Sequence, residues 1–215
     1  PAVHINAGIA GLVLAIVLGK RIGFGKTAFR PHNLPFVMLG AGLLWFGWFG
    51  FNAGSALAAN GTASIVWVTT MVATATSSLA WMLTEKIRDG HATSLGAASG
   101  VVAGLVAITP ACSSVNVLGA IAIGAIAGVL CALAVGLKYR FGYDDSLDVV
   151  GVHLVGGLVG TLMIGFVATE EAPAAVSGLF YGGGVSQLGK QAAAAGAVLV
   201  YSLVLTLIIG YLLNK

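Results

Sequence analysis

No charged side chain interrupts residues 91–137, HATSLGAASGVVAGLVAITPACSSVNVLGAIAIGAIAGVLCALAVGL, and residues 35–84 also lack Asp, Glu, Lys and Arg. Because about 20 apolar residues suffice for one transmembrane helix, each stretch is long enough for two. The apolar runs are continuous rather than alternating. This pattern favours membrane-spanning helices over the strands of a membrane barrel.

The composition supports the same class of protein. Of the 215 residues, 58% are hydrophobic and 8% are charged, whereas a soluble domain carries about 25% charged residues. Ten Lys and Arg and seven Asp and Glu could not cover the surface of a soluble globule of this size. We therefore exclude a soluble enzyme, a nucleic-acid-binding protein and a disordered chain. The prediction is an all-α, polytopic membrane helix bundle without a cofactor or metal site.

Seven apolar segments predict seven helices within a single transmembrane domain covering residues 1–215. Their approximate bounds are 2–19, 35–54, 62–84, 92–110, 117–137, 149–168 and 191–213. Glycine is frequent, with 32 residues, where about 7% is usual. Several glycines recur every four residues, which is typical of close helix packing in membranes.

Basic residues predict the orientation in the membrane. Nine of the ten follow predicted helices one, three, five and seven, and therefore lie on one face: Lys20, Arg21, Lys26, Arg30, Lys86, Arg88, Lys138, Arg140 and Lys215. Membrane proteins keep such an excess of positive charge in the cytoplasm. We thus expect the N-terminal end of the chain outside and its C-terminal end in the cytoplasm.

A short motif containing histidine occurs twice. Residues 4–11 read HINAGIAG and residues 153–160 read HLVGGLVG, so both fit His-x-x-small-Gly-aliphatic-x-Gly. The predicted topology places the two copies on helices that run in opposite directions. Inverted repeats of this kind build many transporters, and their substrate sites lie at the repeat interface. The repeat predicts a pseudo-two-fold fold in which His4 and His153 approach each other.

An ionisable residue inside a bilayer is a functional candidate, and the alternative for each histidine is a packing role with a bond to a carbonyl. Two imidazoles that share one proton resist becoming doubly charged. Such a pair would give a pore a polar but uncharged lining. Asp148, at the inner end of the sixth helix, is expected to cap that helix or to act as an electrostatic anchor. Asp144 and Asp145 are expected to be solvated turn residues.

Residues 45–55, WFGWFGFNAGS, end the second helix at the outer face. Their aromatic rings suit an interfacial belt. They also suit a vestibule in which an aromatic face and the Ser55 hydroxyl hold a small cation.

These residues resemble the Amt/Rh ammonium transporter family, and the bacterial Amt branch in particular. The resemblance runs the length of the chain and rests on HIN (4–6), GKR (19–21), PHNLP (31–35), GWFGFNAGS (47–55), AITPAC (107–112) and DVVGVH (148–153). Members of the family have eleven spans. The chain resembles the last seven, so we expect a fragment that lacks the first four helices and the recruitment-site residues on them.

The resemblance also implies roles for individual residues. The matching positions are His4 and His153 (twin pore histidines), Phe51 (inner gate), Trp48 (pore-lining aromatic), Ser55 (external ammonium site), Thr109 (pore lining or bracing) and Asp148 (structural acidic residue). It further implies a homotrimer in the cell inner membrane that carries ammonium or ammonia, with a PII-type signalling protein as a possible cytoplasmic partner.

The function predicted from this resemblance is a channel that recruits ammonium, deprotonates it and conducts ammonia. An Rh-type gas channel or an ammonium sensor on the same fold remains an alternative. More distant alternatives are an intramembrane serine protease using Ser99 and His153, and a seven-helix receptor. The protease lacks a nucleophile motif around Ser99, and residues 191–213 hold no lysine for a retinal Schiff base.

Overall fold

The computed structural model describes residues 2–214, and in this range the chain forms helices and no strands, which confirms the all-α prediction. The α-helices are α1 (His4–Leu18), α2 (Leu34–Asn52), α3 (Gly61–Asp89), α4 (Ser94–Ile108), α5 (Val117–Ala134), α6 (Leu137–Phe141), α7 (Val155–Val167) and α8 (Ser186–Leu213). Three short elements complete the fold: the 3₁₀ helices Ala53–Ala56 and Leu179–Tyr181, and a π-helical turn, Val150–Leu154, that leads directly into α7.

Five helical segments within the described residues are long and apolar enough to cross a membrane, and α1 and α4 are shorter apolar helices of 15 residues each. Two helices are longer than their hydrophobic patterns predicted. Helix α3 continues to Asp89 rather than ending at 84, and α8 begins at Ser186 rather than at 191. Loss of apolar character marks the end of a span but not of a helix, because Glu, Lys and Arg are good helix formers.

Polar side chains define where four of the helices start. The side-chain oxygen of the residue before the helix accepts a backbone N–H three residues later in α2, α3, α4 and α5, at 2.8–3.0 Å. The capping residues are Asn33, Asn60, Thr93 and Asn116. Each cap satisfies a backbone donor that would otherwise lack a partner.

Glycines allow α3 to pack between α4 and α5. A Cβ atom added at Gly104 of α4 would lie 2.7 Å from both Ser77 Cβ and Thr74 Cα of α3. Gly124 and Gly128 of α5 press in the same way against the α3 backbone from the other side. The four-residue glycine spacing therefore serves close helix packing, as expected for small residues in membrane bundles.

The ends of α1, α3 and α5 that carry basic residues meet at one end of the bundle. Arg21 bonds to Asp144, the Phe24 ring stacks on Tyr139 at 5.7 Å, and the Arg88 guanidinium donates to the Ala132 carbonyl at 2.8 Å. The segments that follow α1, α3 and α5 are therefore in contact with one another at this end. Lys215, the last residue of that set, lies outside the described residues.

Candidate pore site

The structure brings His4 and His153 together. His4 lies in the first turn of α1 and is 5% exposed, and His153 lies in the π-helical turn. Their Nδ1 atoms are 3.4 Å apart, and the two ring centroids are separated by 5.6 Å. The other ring nitrogen of His4, Nε2, is buried and has no hydrogen-bond partner among the described residues. The pair therefore joins through one edge of each ring.

The glycines of the repeated motif explain how the two helices come close enough. A Cβ at Gly8, four residues after His4, would lie 2.5 Å from the Cβ of Leu154, the residue after His153. A Cβ at Gly157, four residues after His153, would lie 3.2 Å from the backbone N of Ile5, the residue after His4. The glycine of each motif thus lies against the backbone next to the histidine of the other motif. This reciprocal contact is what an inverted repeat requires.

The π-helical turn at His153 was not predicted. The N–H of Val155 donates to the carbonyls of Val150, five residues earlier, and of Val152, three residues earlier, instead of following the four-residue α-helical pattern. Single π turns are rare and occur frequently at functional sites. Hydrophobic periodicity carries no signal for such a turn, since residues 149–152 and 154–160, on either side of His153, are all apolar.

Aromatic rings from α2 lie against His4, one member of the histidine pair. The Trp48 ring stacks on His4 with a centroid distance of 5.5 Å and an interplanar angle of 16°. The Phe51 ring lies 5.1 Å from Trp48 and 6.5 Å from His4, measured between centroids. Trp48 Nε1 donates to Thr109 Oγ1 at 2.9 Å, and that hydroxyl donates to the Leu105 carbonyl at 2.7 Å. Thr109 therefore braces the indole that lies against His4.

Ser55 lies one turn beyond Phe51, in the 3₁₀ helix Ala53–Ala56, and is exposed. Its hydroxyl donates to the Phe51 carbonyl at 2.6 Å. Because this bond uses the hydroxyl proton, the oxygen can serve an outside ligand only as an acceptor. The hydroxyl of Ser55 bonds to Phe51 and not to the histidines, so Ser55 belongs to a separate part of the candidate site.

The acidic residues before His153 differ from expectation. Asp148, expected to be a cap or an electrostatic anchor, has a left-handed backbone (φ 59°), and its carboxylate pairs with Lys138 at 2.6 Å, as an anchor would. Asp145 caps the turn instead, accepting the N–H groups of Val149 and Val150 at 3.0 and 2.7 Å. Burial raises the pKa of the Asp148 carboxyl.

The prediction that Asp144 and Asp145 are solvated turn residues is wrong. They are 7% and 5% exposed, respectively. Asp144 accepts three hydrogen bonds from Arg21, at 2.7–2.8 Å, and these bonds lower the pKa of its carboxyl. A carboxylate can be buried when hydrogen bonds from a charged partner replace those that it made to water.

The sequence profile of the Ammonium Transporter Family matches residues 1–215. The chain belongs to the ammonium transporter family. An ammonium transporter of Mycobacterium tuberculosis (strain ATCC 25618 / H37Rv) is 69% identical over 219 residues, covering 99% of the chain and 46% of that protein. One from Aquifex aeolicus is 52% identical, covering 96% of the chain and 48% of that protein. The chain thus spans about half the length of these relatives of the same family.

Solved structures of similar proteins share the fold. The crystal structure of Saccharomyces cerevisiae Mep2 has a TM-score of 0.86 and 37% identity, covering 96% of the chain and 48% of Mep2. A protein described as a sensor Amt protein has a TM-score of 0.89 and 31% identity, covering 99% of the chain and 53% of that protein. These matches confirm the predicted ammonium transporter fold. They also confirm membership of a family of membrane transporters rather than enzymes.

Proposed function

We propose that this chain forms the histidine-bearing part of an ammonium transporter, which recruits ammonium at the outer face, deprotonates it and conducts ammonia through a hydrophobic pore. The observation that carries the proposal is the 3.4 Å contact between the imidazoles of His4 and His153, beneath the rings of Trp48 and Phe51. The pair, in which His4 is buried and His153 is partly buried, offers hydrogen bonds to a small neutral solute.

The cost of moving charge explains why deprotonation is favoured. With the lysine pKa of about 10.4 as a stand-in for ammonium, releasing a proton at pH 7 costs about 4–5 kcal/mol. Moving an intact ion into an apolar environment costs tens of kcal/mol in a Born estimate. Potassium has no proton to release and must bear the larger cost. A dry pore therefore selects ammonium over potassium by the ability to lose a proton and not by ionic radius.

Ser55 and the aromatic rings suit the recruitment step. Ammonium carries only N–H donors, so it needs oxygen acceptors and aromatic faces. The Ser55 hydroxyl, with its proton engaged by the Phe51 carbonyl, presents an acceptor. Phe51 is 45% exposed and lies between this outer group and Trp48. We propose that the solute passes from Ser55, beyond Phe51, to the histidine pair.

The imidazole pair provides both kinds of hydrogen-bonding group along the path. If one Nδ1 donates to the other, the first ring keeps Nε2 as an acceptor and the second ring keeps Nε2–H as a donor. The buried and unpartnered Nε2 of His4 is available for this purpose. Ammonia, which is both donor and acceptor, can bond to either ring as a neutral molecule. We propose that the released proton crosses separately, by relay from one imidazole to the other, so that each ammonium transported moves one charge across the membrane and gives a current.

Three further properties belong to the proposal. We propose that the basic end of the bundle faces the cytoplasm, with the N-terminal end of the chain outside, in a cell inner membrane. We also propose a homotrimer, and a PII-type signalling protein as a partner at the cytoplasmic face. Crosslinking of the full-length protein in native membranes tests the homotrimer. Accessibility labelling of Lys26 and Lys190 from each side of the membrane tests the orientation.

An ammonium sensor is the second candidate function, since a sensor Amt protein shares the fold with a TM-score of 0.89. An Rh-type gas channel on the same fold is the other alternative. A sensor would bind ammonium without a sustained flux, and a gas channel would conduct ammonia without selecting charge. Ammonium-dependent currents in proteoliposomes separate both from the proposed transporter.

The test of the proposed function uses His153→Ala in the full-length protein. We expect selective ammonium transport to be abolished, or the pore to admit potassium, because the polar lining that favours ammonia is gone. His91→Ala is the matched control, since His91 is exposed in the turn between α3 and α4. Unchanged ammonium-over-potassium currents in His153→Ala would remove the histidines from the mechanism.

A further inference from the structure

We infer that Asp145 is a positioning residue for His153: its carboxylate holds the π-helical turn in the shape that places the imidazole beside His4. The inference rests on the proposed function of the histidine pair. It assigns Asp145 no contact with the solute. Its action passes through the backbone of Val149 and Val150.

Both oxygens of the Asp145 carboxylate are engaged at the start of the turn. Oδ1 accepts the N–H of Val149 at 3.0 Å, and Oδ2 accepts the N–H of Val150 at 2.7 Å. Val150 is the first residue of the π-helical turn, and His153 is its fourth. A carboxylate at this place satisfies two backbone donors and interacts favourably with the positive end of the helix.

The residue before the turn and the two nearby carboxylates are not available for this role. Val149, which precedes the turn, has no polar side chain and makes no capping bond. The Asp148 carboxylate is held by Lys138 at 2.6 Å, and Asp144 is held by Arg21. Asp145 is itself 5% exposed, so water is poorly placed to substitute for its oxygens.

The position of His153 depends on the shape of this turn. An α-helix bonds each N–H to the carbonyl four residues earlier, whereas the N–H of Val155 is shared between the carbonyls of Val150, five residues earlier, and Val152, three residues earlier. Without the carboxylate, two N–H groups lose their partners and a rearrangement that pairs them is favoured. The Nδ1 atoms are already 3.4 Å apart, at the long end of hydrogen-bond range. A shift of a fraction of an ångström is therefore enough to separate the rings.

The adjacent ion pair ties the same segment to the other histidine helix. Arg21 follows the end of α1, which carries His4, and its side chain and backbone N–H both bond to Asp144. Asp144 and Asp145 are consecutive, so one short segment contacts the chain after α1 and also caps the turn of His153. This arrangement explains how two helices of opposite direction keep their histidines in register.

The test compares Asp145→Ala and Asp145→Asn with the wild-type full-length protein. Asparagine keeps the size of the side chain but replaces one acceptor oxygen by an NH₂ group, so one of the two N–H groups loses the oxygen that it faces. Asp89→Asn is the control, because it neutralises an exposed carboxylate at the same end of the bundle, bonded to Arg88. Solid-state NMR of isotope-labelled histidine reports the hydrogen bond between the imidazoles, and currents report selectivity.

We expect Asp145→Ala to eliminate the resonance of the shared imidazole proton and to lower ammonium-over-potassium selectivity about tenfold or more. Asp145→Asn should shift that resonance, with a smaller loss of selectivity, and Asp89→Asn should change neither. An unchanged imidazole resonance in folded Asp145→Ala would overturn the inference. If Asp145→Ala does not fold, an unchanged resonance in Asp145→Asn has the same meaning.

The two proposals can fail separately. If His153→Ala leaves transport unchanged while Asp145→Ala still alters the imidazole resonance, the proposed function fails and the positioning role stands. If His153→Ala abolishes selectivity while both Asp145 variants keep the wild-type resonance, the positioning role fails and the proposed function stands.

Discussion

Removing the Thr109 hydroxyl tests whether the indole over His4 is held in place. Thr109→Val keeps the shape of the side chain but removes the acceptor of the 2.9 Å bond from Trp48 Nε1. An unpaired buried donor costs about 1–3 kcal/mol, and this partly buried indole belongs near the lower value. About 1 kcal/mol corresponds to a roughly fivefold shift away from the stacked position.

We therefore expect Thr109→Val to reduce ammonium flux several-fold while potassium remains excluded, because the histidine pair is intact. The measurement is the initial current on a solid-supported membrane over a range of ammonium concentrations. Thr161→Val is the control, since Thr161 is fully buried and its hydroxyl has no hydrogen-bond partner among the described residues. Wild-type flux in Thr109→Val, or an equal loss in Thr161→Val, would refute the bracing role.

Three other predictions concern the gate, the ion pair and the packing. Phe51→Ala should alter ammonium flux, because its ring lies between Ser55 and Trp48; unchanged initial currents would exclude it from the path. Hydrogen bonds lower the pKa of Asp144, so its stabilising contribution is present above pH about 4 and is lost as pH falls through the folded-state value. Thermal unfolding of Asp144→Asn should accordingly be less sensitive to acid than that of the wild type. Gly104→Leu should destabilise the fold by about 1–3 kcal/mol or more, since even a Cβ there lies 2.7 Å from α3. Gly40→Ala, which meets nothing within 4 Å, should leave the melting temperature nearly unchanged.

The sequence predicts the membrane class and the histidine pair because each depends on a strong local signal. Charge-free stretches longer than one span have few explanations other than membrane helices. The repeated motif around His4 and His153 places two histidines on opposed helices, and the reciprocal contacts of Gly8 and Gly157 provide the physical reason that they meet.

The acidic segment could not be predicted, since three carboxylates occur within five residues. Which of them caps the helix depends on the backbone, and the left-handed conformation of Asp148 turns its side chain towards Lys138 and leaves Asp145 to accept the N–H groups. The burial of Asp144 depends on Arg21, which is 123 positions away in sequence. Such long-range partners leave no periodic pattern.

The bond between Trp48 and Thr109 illustrates a different limit. Their motifs identify both residues as pore candidates, but only the structure joins them, across 61 positions. Side-chain partners on separate helices follow from helix rotation and tilt, which packing determines. The sequence therefore indicates which residues belong to the site but not which of them are bonded to each other.

The central claim is that a pair of imidazoles in an apolar passage makes the solute cross as ammonia. The most direct measurement is the current evoked by ammonium and by potassium pulses in proteoliposomes that contain the full-length protein, with His4→Ala/His153→Ala compared against wild type. We expect wild-type currents with ammonium alone, and in the double variant either no ammonium response or a potassium response as well. A double variant that still transports ammonium and excludes potassium as the wild type does would contradict the account.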